Sequence, residues 1–170
     1  MNIRIEITQK DIDDAVEIQT KIFDESRRLG LDPGNATGQG YKSRNEFVGV
    51  IGEIAVARFL GIEDFKGNIN TFKEADVAGN HVRATEYYGG RLLARRGDRV
   101  GPYIFVVVRP EEKVAYIKGW MDGAEIMTDK YWLEGEALAK KLRKGDPCWC
   151  VDQSELHPMD TLPLSVDEAA

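Results

Sequence analysis

An uninterrupted run of six apolar residues at positions 103–108 is the feature that most constrains the fold of this 170-residue chain. A run of this length and composition is typical of a central strand that is buried on both faces. After a turn at residues 111–113, apolar and polar residues alternate over 114–121, which predicts a paired strand. The sequence therefore predicts a hydrophobic β-hairpin within a sheet.

Two helices are expected to flank this sheet. Over residues 9–28 apolar residues keep helical spacing, Thr8 is a candidate N-cap, and Asp11 occupies the capping-box position. A second apolar helix face over residues 45–60 ends at Gly61. The fold class is therefore α/β, with a central mixed β-sheet flanked by helices.

The remaining segments complete a single domain over residues 1–164, followed by a flexible acidic tail at 165–170. The glycine-rich segment 30–42 is expected to be a loop, either a substrate-contacting flap or a plain linker. Further strands are predicted at 3–7, 75–78, 80–86, 91–96 and 148–151, and a short helix near 134–143.

Charge is distributed unevenly along the chain. The net charge of −6 argues against a wholly basic nucleic-acid-binding surface. Residues 81–109, however, contain six arginines, no lysine and two acidic residues, so this stretch carries +4 and the remainder −10. Arginine suits bidentate contacts to phosphate, although a solvated strand face would also carry such charges.

Cysteine usage and hydropathy favour the cytoplasm. Cys148 and Cys150 flank Trp149, and the simplest interpretation is a pair of buried thiols in a reducing compartment. No apolar run approaches the roughly 20 residues that span a bilayer, so no membrane partner is expected. The first residues alternate like a strand and do not resemble a signal peptide.

A small set of charged residues could support phosphodiester hydrolysis. Asp76 precedes a turn, and His81 and Arg83 follow it on a predicted strand, where positions i and i+2 share a face. Glu53 lies beside the apolar face of the second helix, and a half-buried acid requires a cation or a metal as partner. Hydrolysis needs a divalent cation held by oxygen ligands, which Asp76, Glu53 and a carbonyl near Val82 could supply.

The order of these residues resembles the PD-(D/E)xK restriction-endonuclease-like superfamily. Gly52-Glu53 lies on a helix, Asp76 follows, and a hydrophobic strand carries Val82-Arg83. The resemblance extends over roughly residues 43–160. Its downstream segments, similar to small phage-type members, are Gly90-Arg-Leu-Leu-Ala-Arg, Ile104-Phe-Val-Val-Val, Ile117-Lys-Gly-Trp120 and Trp149-Cys-Val-Asp-Gln-Ser-Glu-Leu156.

The resemblance implies roles for four residues. Asp76 matches the first acid and Glu53 the helix glutamate, and both would bind Mg²⁺ or Mn²⁺. Arg83 stands where the family has lysine, and it could hold the scissile phosphate but not act as a base near neutral pH. His81 stands where a second acid is expected. It would be a third ligand or a proton-transfer group, and imidazole suits manganese better than magnesium.

Three interpretations remain open. The chain is an active nuclease with a modified site, a catalytically inactive nuclease-like module that binds nucleic acid or a partner protein, or an interaction protein with an accidental match. DNA is favoured over RNA, and a homodimer is left open. Glu74 and Glu86 are near enough in sequence to replace a ligand. The residues expected to guide the nucleic-acid backbone are Arg91, Arg95, Arg96 and Arg99.

Overall fold

The computed structural model describes residues 2–30, 39–67, 75–143 and 145–164, with residues 39–43 described by their backbone only. Two β-sheets and four helices make up this part of the chain. In chain order the elements are β1 (Ile3–Glu6), α1 (Gln9–Arg28), α2 (Gln39–Phe59), β2 (His81–Thr85), β3 (Leu92–Ala94), β4 (Pro102–Arg109), β5 (Val114–Asp122), α3 (Gly123–Ile126), β6 (Trp132–Leu133), α4 (Gly135–Leu142) and β7 (Cys148–Val151).

The larger sheet is mixed and has the strand order β1-β5-β4-β2. Strand β5 pairs antiparallel with both β1 and β4, whereas β2 pairs parallel with β4. The predicted hairpin is confirmed as β4 and β5, and residues 103–108 of β4 are at most 1% exposed. The α/β class with a mixed sheet and helices is therefore confirmed.

Helix α2 packs very closely against one face of this sheet. A Cβ atom added at Gly52 would lie 2.8 Å from the Cβ of Ala84 on β2, so only glycine allows this approach. Helix α1 then packs on α2, where Arg58 forms an ion pair with the buried Asp11. The alternate β4 residues Ile104, Val106 and Val108 belong to the core that includes α2.

The smaller sheet covers the opposite face. Its strands are antiparallel, in the order β3-β7-β6. Leu92 of β3 and Val151 of β7 pack in one core with the other β4 residues, Tyr103, Phe105 and Val107. Strand β4 therefore contributes to two cores, one on each face, which explains its uninterrupted apolar sequence.

Most predicted elements are present, but several boundaries differ. Helix α1 has the predicted span and capping box. Helix α2 begins at Gln39, so the predicted loop 30–42 is wrong over its last four residues, while 31–38 lie outside the described residues. No proline interrupts residues 39–45, so the helix extends upstream of its predicted start at residue 45. The predicted tail 165–170 also lies outside the described residues.

Two predicted strands are shorter than expected. Segment 75–78 contributes only an isolated bridge between Val77 and Asn80, because the chain turns immediately. Strand β3 ends at Ala94, where a turn closed by the Asp98 N–H to Arg95 carbonyl bond begins. Both cysteines are free and buried, as predicted. Within the described ranges, no helix is both long and apolar enough to cross a membrane.

Candidate functional site

A tight turn holds Asp76 at the start of β2. Val77 and Asn80 exchange two backbone hydrogen bonds of 3.0 and 2.9 Å, and the two residues between them have left-handed φ angles. The buried Asn80 amide donates to two carbonyl groups of the turn. The Asp76 Oδ2 atom accepts the Val82 N–H at 2.7 Å. The carboxylate is thereby fixed to the backbone through one of its oxygens.

Helix α2 brings Glu53 close to this aspartate. Because Gly52 allows α2 to contact β2, the next side chain, Glu53, is carried into the same region, where it is half-buried. Burial raises the pKa of Glu53 to about 8 from its ordinary value near 4.5, and repulsion from the Asp76 carboxylate adds to the shift. A carboxyl group whose ionised form is disfavoured by burial and by a neighbouring carboxylate is typical of functional sites.

This pair fits a divalent cation with oxygen ligands. Magnesium is commonly held by one or two carboxylates, with waters and substrate phosphates completing its coordination. A cation would also relieve the repulsion between Glu53 and Asp76. Among the described residues, no group of three or more His, Cys, Asp and Glu side chains is arranged to hold a metal. Glu74, a predicted substitute ligand, lies outside them.

His81 and Arg83 project toward the face opposite α2. Val82 and Ala84 contact α2 at Gly52, and side chains alternate along a strand. The His81 ring stacks on Tyr103 with centroids 4.6 Å apart, and its Nε2 atom lies 3.3 Å from the Val100 carbonyl oxygen. His81 is therefore not gathered with Glu53 and Asp76 into a three-ligand group, and its role as a ligand stays a prediction.

Arg83 has its own partner, Asp98. One guanidinium nitrogen lies 3.0 Å from the Asp98 Oδ2 atom, and the guanidinium carbon lies 5.2 Å from the Tyr103 ring centroid. The same Asp98 oxygen accepts the Arg95 N–H at 2.9 Å. The predicted contact of Arg83 with a scissile phosphate would require this ion pair to be exchanged.

Residues 95–101, which we call the arginine loop, connect β3 to β4 beside the start of β2. Arg95, Arg96 and Arg99 in this loop are exposed, and none forms an ion pair within the described part of the chain. Arg96 instead lies over the ring of Trp132, 4.6 Å from its centroid. Three of the four arginines predicted to contact the nucleic-acid backbone are thus close together in sequence and exposed. Within the described residues, no ion pair neutralises their charges.

The fourth arginine and the second substitute ligand are engaged elsewhere. Arg91 pairs with Asp152 at 2.6 Å, next to Lys141 of α4. Glu86 accepts two hydrogen bonds from Arg44, at 2.9 and 2.5 Å. The Glu86 carboxylate is therefore held in an ion pair just beyond the carboxyl end of β2, whereas Asp76 precedes the amino end.

Two residues that contribute to this region were missed by the sequence interpretation. Asp98 counted only as an acid within a basic stretch, and Tyr103 only as a core residue. The parallel register places Tyr103 directly beside His81, but the sequence carries no signal for parallel pairing of β2 with β4. Asp98 follows two arginines and a glycine, a turn-like composition that could have indicated a folded loop.

Comparison with known proteins adds no relative. No family model matches the chain, and neither a curated protein nor a solved structure matches it significantly. The resemblance to the restriction-endonuclease-like superfamily therefore stays a prediction from residue order.

Proposed function

We propose that this protein is a metal-dependent nuclease with a restriction-endonuclease-like fold and an atypical active site, acting on DNA phosphodiester bonds. The observation that carries the proposal is the half-buried Glu53 carboxyl group beside Asp76, whose pKa is raised to about 8. Placing two half-buried acids together is destabilising unless a cation or a proton compensates their charge. A divalent cation, Mg²⁺ or Mn²⁺, would neutralise the two acids and would also take part in phosphodiester hydrolysis.

The roles of the protein groups follow from their contacts. Asp76 keeps one carboxylate oxygen on the Val82 N–H, and its other oxygen would bind the cation. Glu53 would hold the same cation from α2 in its ionised form, having released its proton. The bound cation would activate water and neutralise charge on the phosphate.

The arginine loop supplies the second half of the proposal. Phosphate contacts fix the register of a nucleic acid on a protein without reading its sequence. Arg95, Arg96 and Arg99 are suited to this role because no carboxylate in the described residues neutralises them. The acidic remainder of the chain would confine binding to this side of the molecule.

The test is cleavage of plasmid and single-stranded DNA in Mg²⁺ and then in Mn²⁺, comparing the wild type with Asp76→Asn. Asparagine keeps an oxygen for the Val82 N–H, so the turn survives while the charge is lost. We expect cleavage to fall at least about 100-fold, since a metal ligand is removed. Asp13→Asn, an exposed aspartate on α1, is the matched control and should cleave like the wild type. Equal cleavage by both variants would contradict the proposal.

A second candidate is a catalytically inactive nuclease-like module that binds nucleic acid or a partner protein. The Arg83–Asp98 ion pair favours it, because the charge of the residue at the family's lysine position is already neutralised by Asp98. As an arginine, this residue also cannot serve as a base. This candidate predicts no cleavage with either metal, but salt-sensitive DNA binding that survives Asp76→Asn. Absence of both cleavage and binding, with Arg95→Ala/Arg96→Ala silent, would leave an interaction protein.

A further inference from the structure

The two β2 residues that depart from the family pattern both contact the arginine loop. The His81 Nε2 atom faces the Val100 carbonyl oxygen at 3.3 Å. Arg83 forms its ion pair with Asp98, which also accepts the Arg95 N–H. Both side chains therefore point at the loop backbone or at its single acid, and each contact joins the start of the sheet to the loop.

Tyr103 organises the same junction from β4. Its ring is fully buried, stacks with His81 and lies beneath the Arg83 guanidinium group. Its hydroxyl group donates a hydrogen bond of 2.5 Å to the Arg99 carbonyl oxygen. The loop is consequently held at three successive residues, 98, 99 and 100, by three side chains of the central sheet.

Docking the loop lowers the entropic cost of binding a ligand. Three exposed arginines on a mobile segment would have to be ordered during binding, and this ordering opposes association. A loop that is already fixed presents its charges in one arrangement. The contacts of His81, Arg83 and Tyr103 give the arginine loop this property.

We propose that His81 and Arg83 are positioning residues, which dock the arginine loop so that Arg95, Arg96 and Arg99 bind the phosphates of a nucleic acid. The inference rests on the proposed function for its ligand, but it assigns these two residues a different task from metal ligation or contact with the scissile phosphate. Asp98, although acidic, then supports the binding of a polyanion.

The sign of the Asp98 effect tests this assignment. Affinity for a fluorescein-labelled single-stranded or duplex oligonucleotide is measured by anisotropy over a range of salt, for Arg83→Gln, Asp98→Ala and the double variant. Docking predicts that both single variants bind about fivefold more weakly, because either change releases the loop. The double variant should bind no more weakly than Asp98→Ala alone, since the Arg83–Asp98 contact is already lost in that variant.

If Arg83 contacted phosphate directly, the affinity of Asp98→Ala would change in the opposite direction. Removal of Asp98 would then free Arg83 and take away a negative charge, so binding would become tighter. An Asp98→Ala variant that binds as tightly as the wild type, or more tightly, therefore overturns the docking proposal. Arg95→Ala/Arg96→Ala should lower the slope of log affinity against log salt by about two, one for each phosphate contact.

Matched controls come from a remote ion pair on α1. Arg28 and Glu25 form an exposed pair, and Arg28→Gln and Glu25→Ala repeat the two charge changes away from the loop. We expect affinity changes under about twofold for both, because charges this far away are largely screened. Thermal midpoints of all variants show whether the fold is intact.

Limited trypsin digestion tests whether the arginine loop is docked, and it requires no nucleic acid. The exposed loop arginines are cleavage sites, and a fixed loop should resist cleavage that Arg83→Gln and Asp98→Ala accelerate severalfold at unchanged thermal midpoint. Equal cleavage rates in wild type and variants would refute the docking. If the rates differ but the wild type binds no oligonucleotide, docking stands, while the loop's nucleic-acid role and the proposed function both fail.

Discussion

At the scale of single residues, Glu53 is the most informative group in the molecule. Its carboxyl group combines partial burial, a neighbouring acid and a helix position that follows the closely packed Gly52. The sequence indicated that this acid would be half-buried and in need of a partner, because it lies beside an apolar helix face. The sequence could not indicate that Asp76 would be that neighbour, since the two are brought together by packing of α2 on β2.

The raised pKa of Glu53 makes a prediction about stability. The folded protein holds this proton up to about pH 8, whereas the unfolded chain releases it near the ordinary value of 4.5. The preference of the folded state for protonated Glu53 therefore stabilises the protein fully below pH 4.5. This stabilisation is lost as the pH rises toward 8, by up to about 1.4 kcal/mol per pH unit.

Glu53→Gln should remove this component. We expect the free energy of unfolding of the wild type to fall relative to that of Glu53→Gln between pH 5 and 8, in metal-free urea titrations. Glu46→Gln, at an exposed position of the same helix, should keep the wild-type pH dependence. Parallel pH profiles for wild type and Glu53→Gln would mean that Glu53 does not hold its proton.

At the scale of elements, the contact of α2 with β2 determines the geometry of the site. Helix α2 lies close to β2 at Gly52, where the Ala84 and Val82 side chains occupy the space that a Cβ would fill. A glycine has no Cβ, so it permits another element to approach the helix closely. The structure shows that the approach is to the face of β2, with the β-carbon of Ala84 as the nearest atom.

Two glycines of the same helix give a matched test of this packing. Gly52→Ala should lower the free energy of unfolding by about 1–3 kcal/mol, because its Cβ would overlap Ala84. Gly49→Ala, with nothing within 4 Å of the added Cβ, should raise it by up to about 1 kcal/mol. Urea denaturation measures both. Equal effects of the two substitutions would show that α2 is not in tight contact with β2.

At the scale of the whole molecule, strand β4 explains why the sequence predicted the fold class well and the site only in part. Its apolar run required cover on both faces, and the two cores provide it. Periodicity alone reports which residues are buried, but not which strands are neighbours. The parallel pairing of β2 with β4, which places Tyr103 beside His81, and the folding of the arginine loop onto Asp98 are therefore properties of tertiary structure.

The most direct test of the central claim, that Glu53 and Asp76 form a cation site, is calorimetric titration of the protein with Mn²⁺ at pH 7 in buffers of different ionisation enthalpy. Glu53 holds a proton at this pH, so binding should release it, and the observed enthalpy should depend on the buffer. We predict saturable binding with proton release in the wild type and in Asp13→Asn, and its loss in Asp76→Asn. Absence of binding in the wild type, or binding unchanged by Asp76→Asn, would contradict the account.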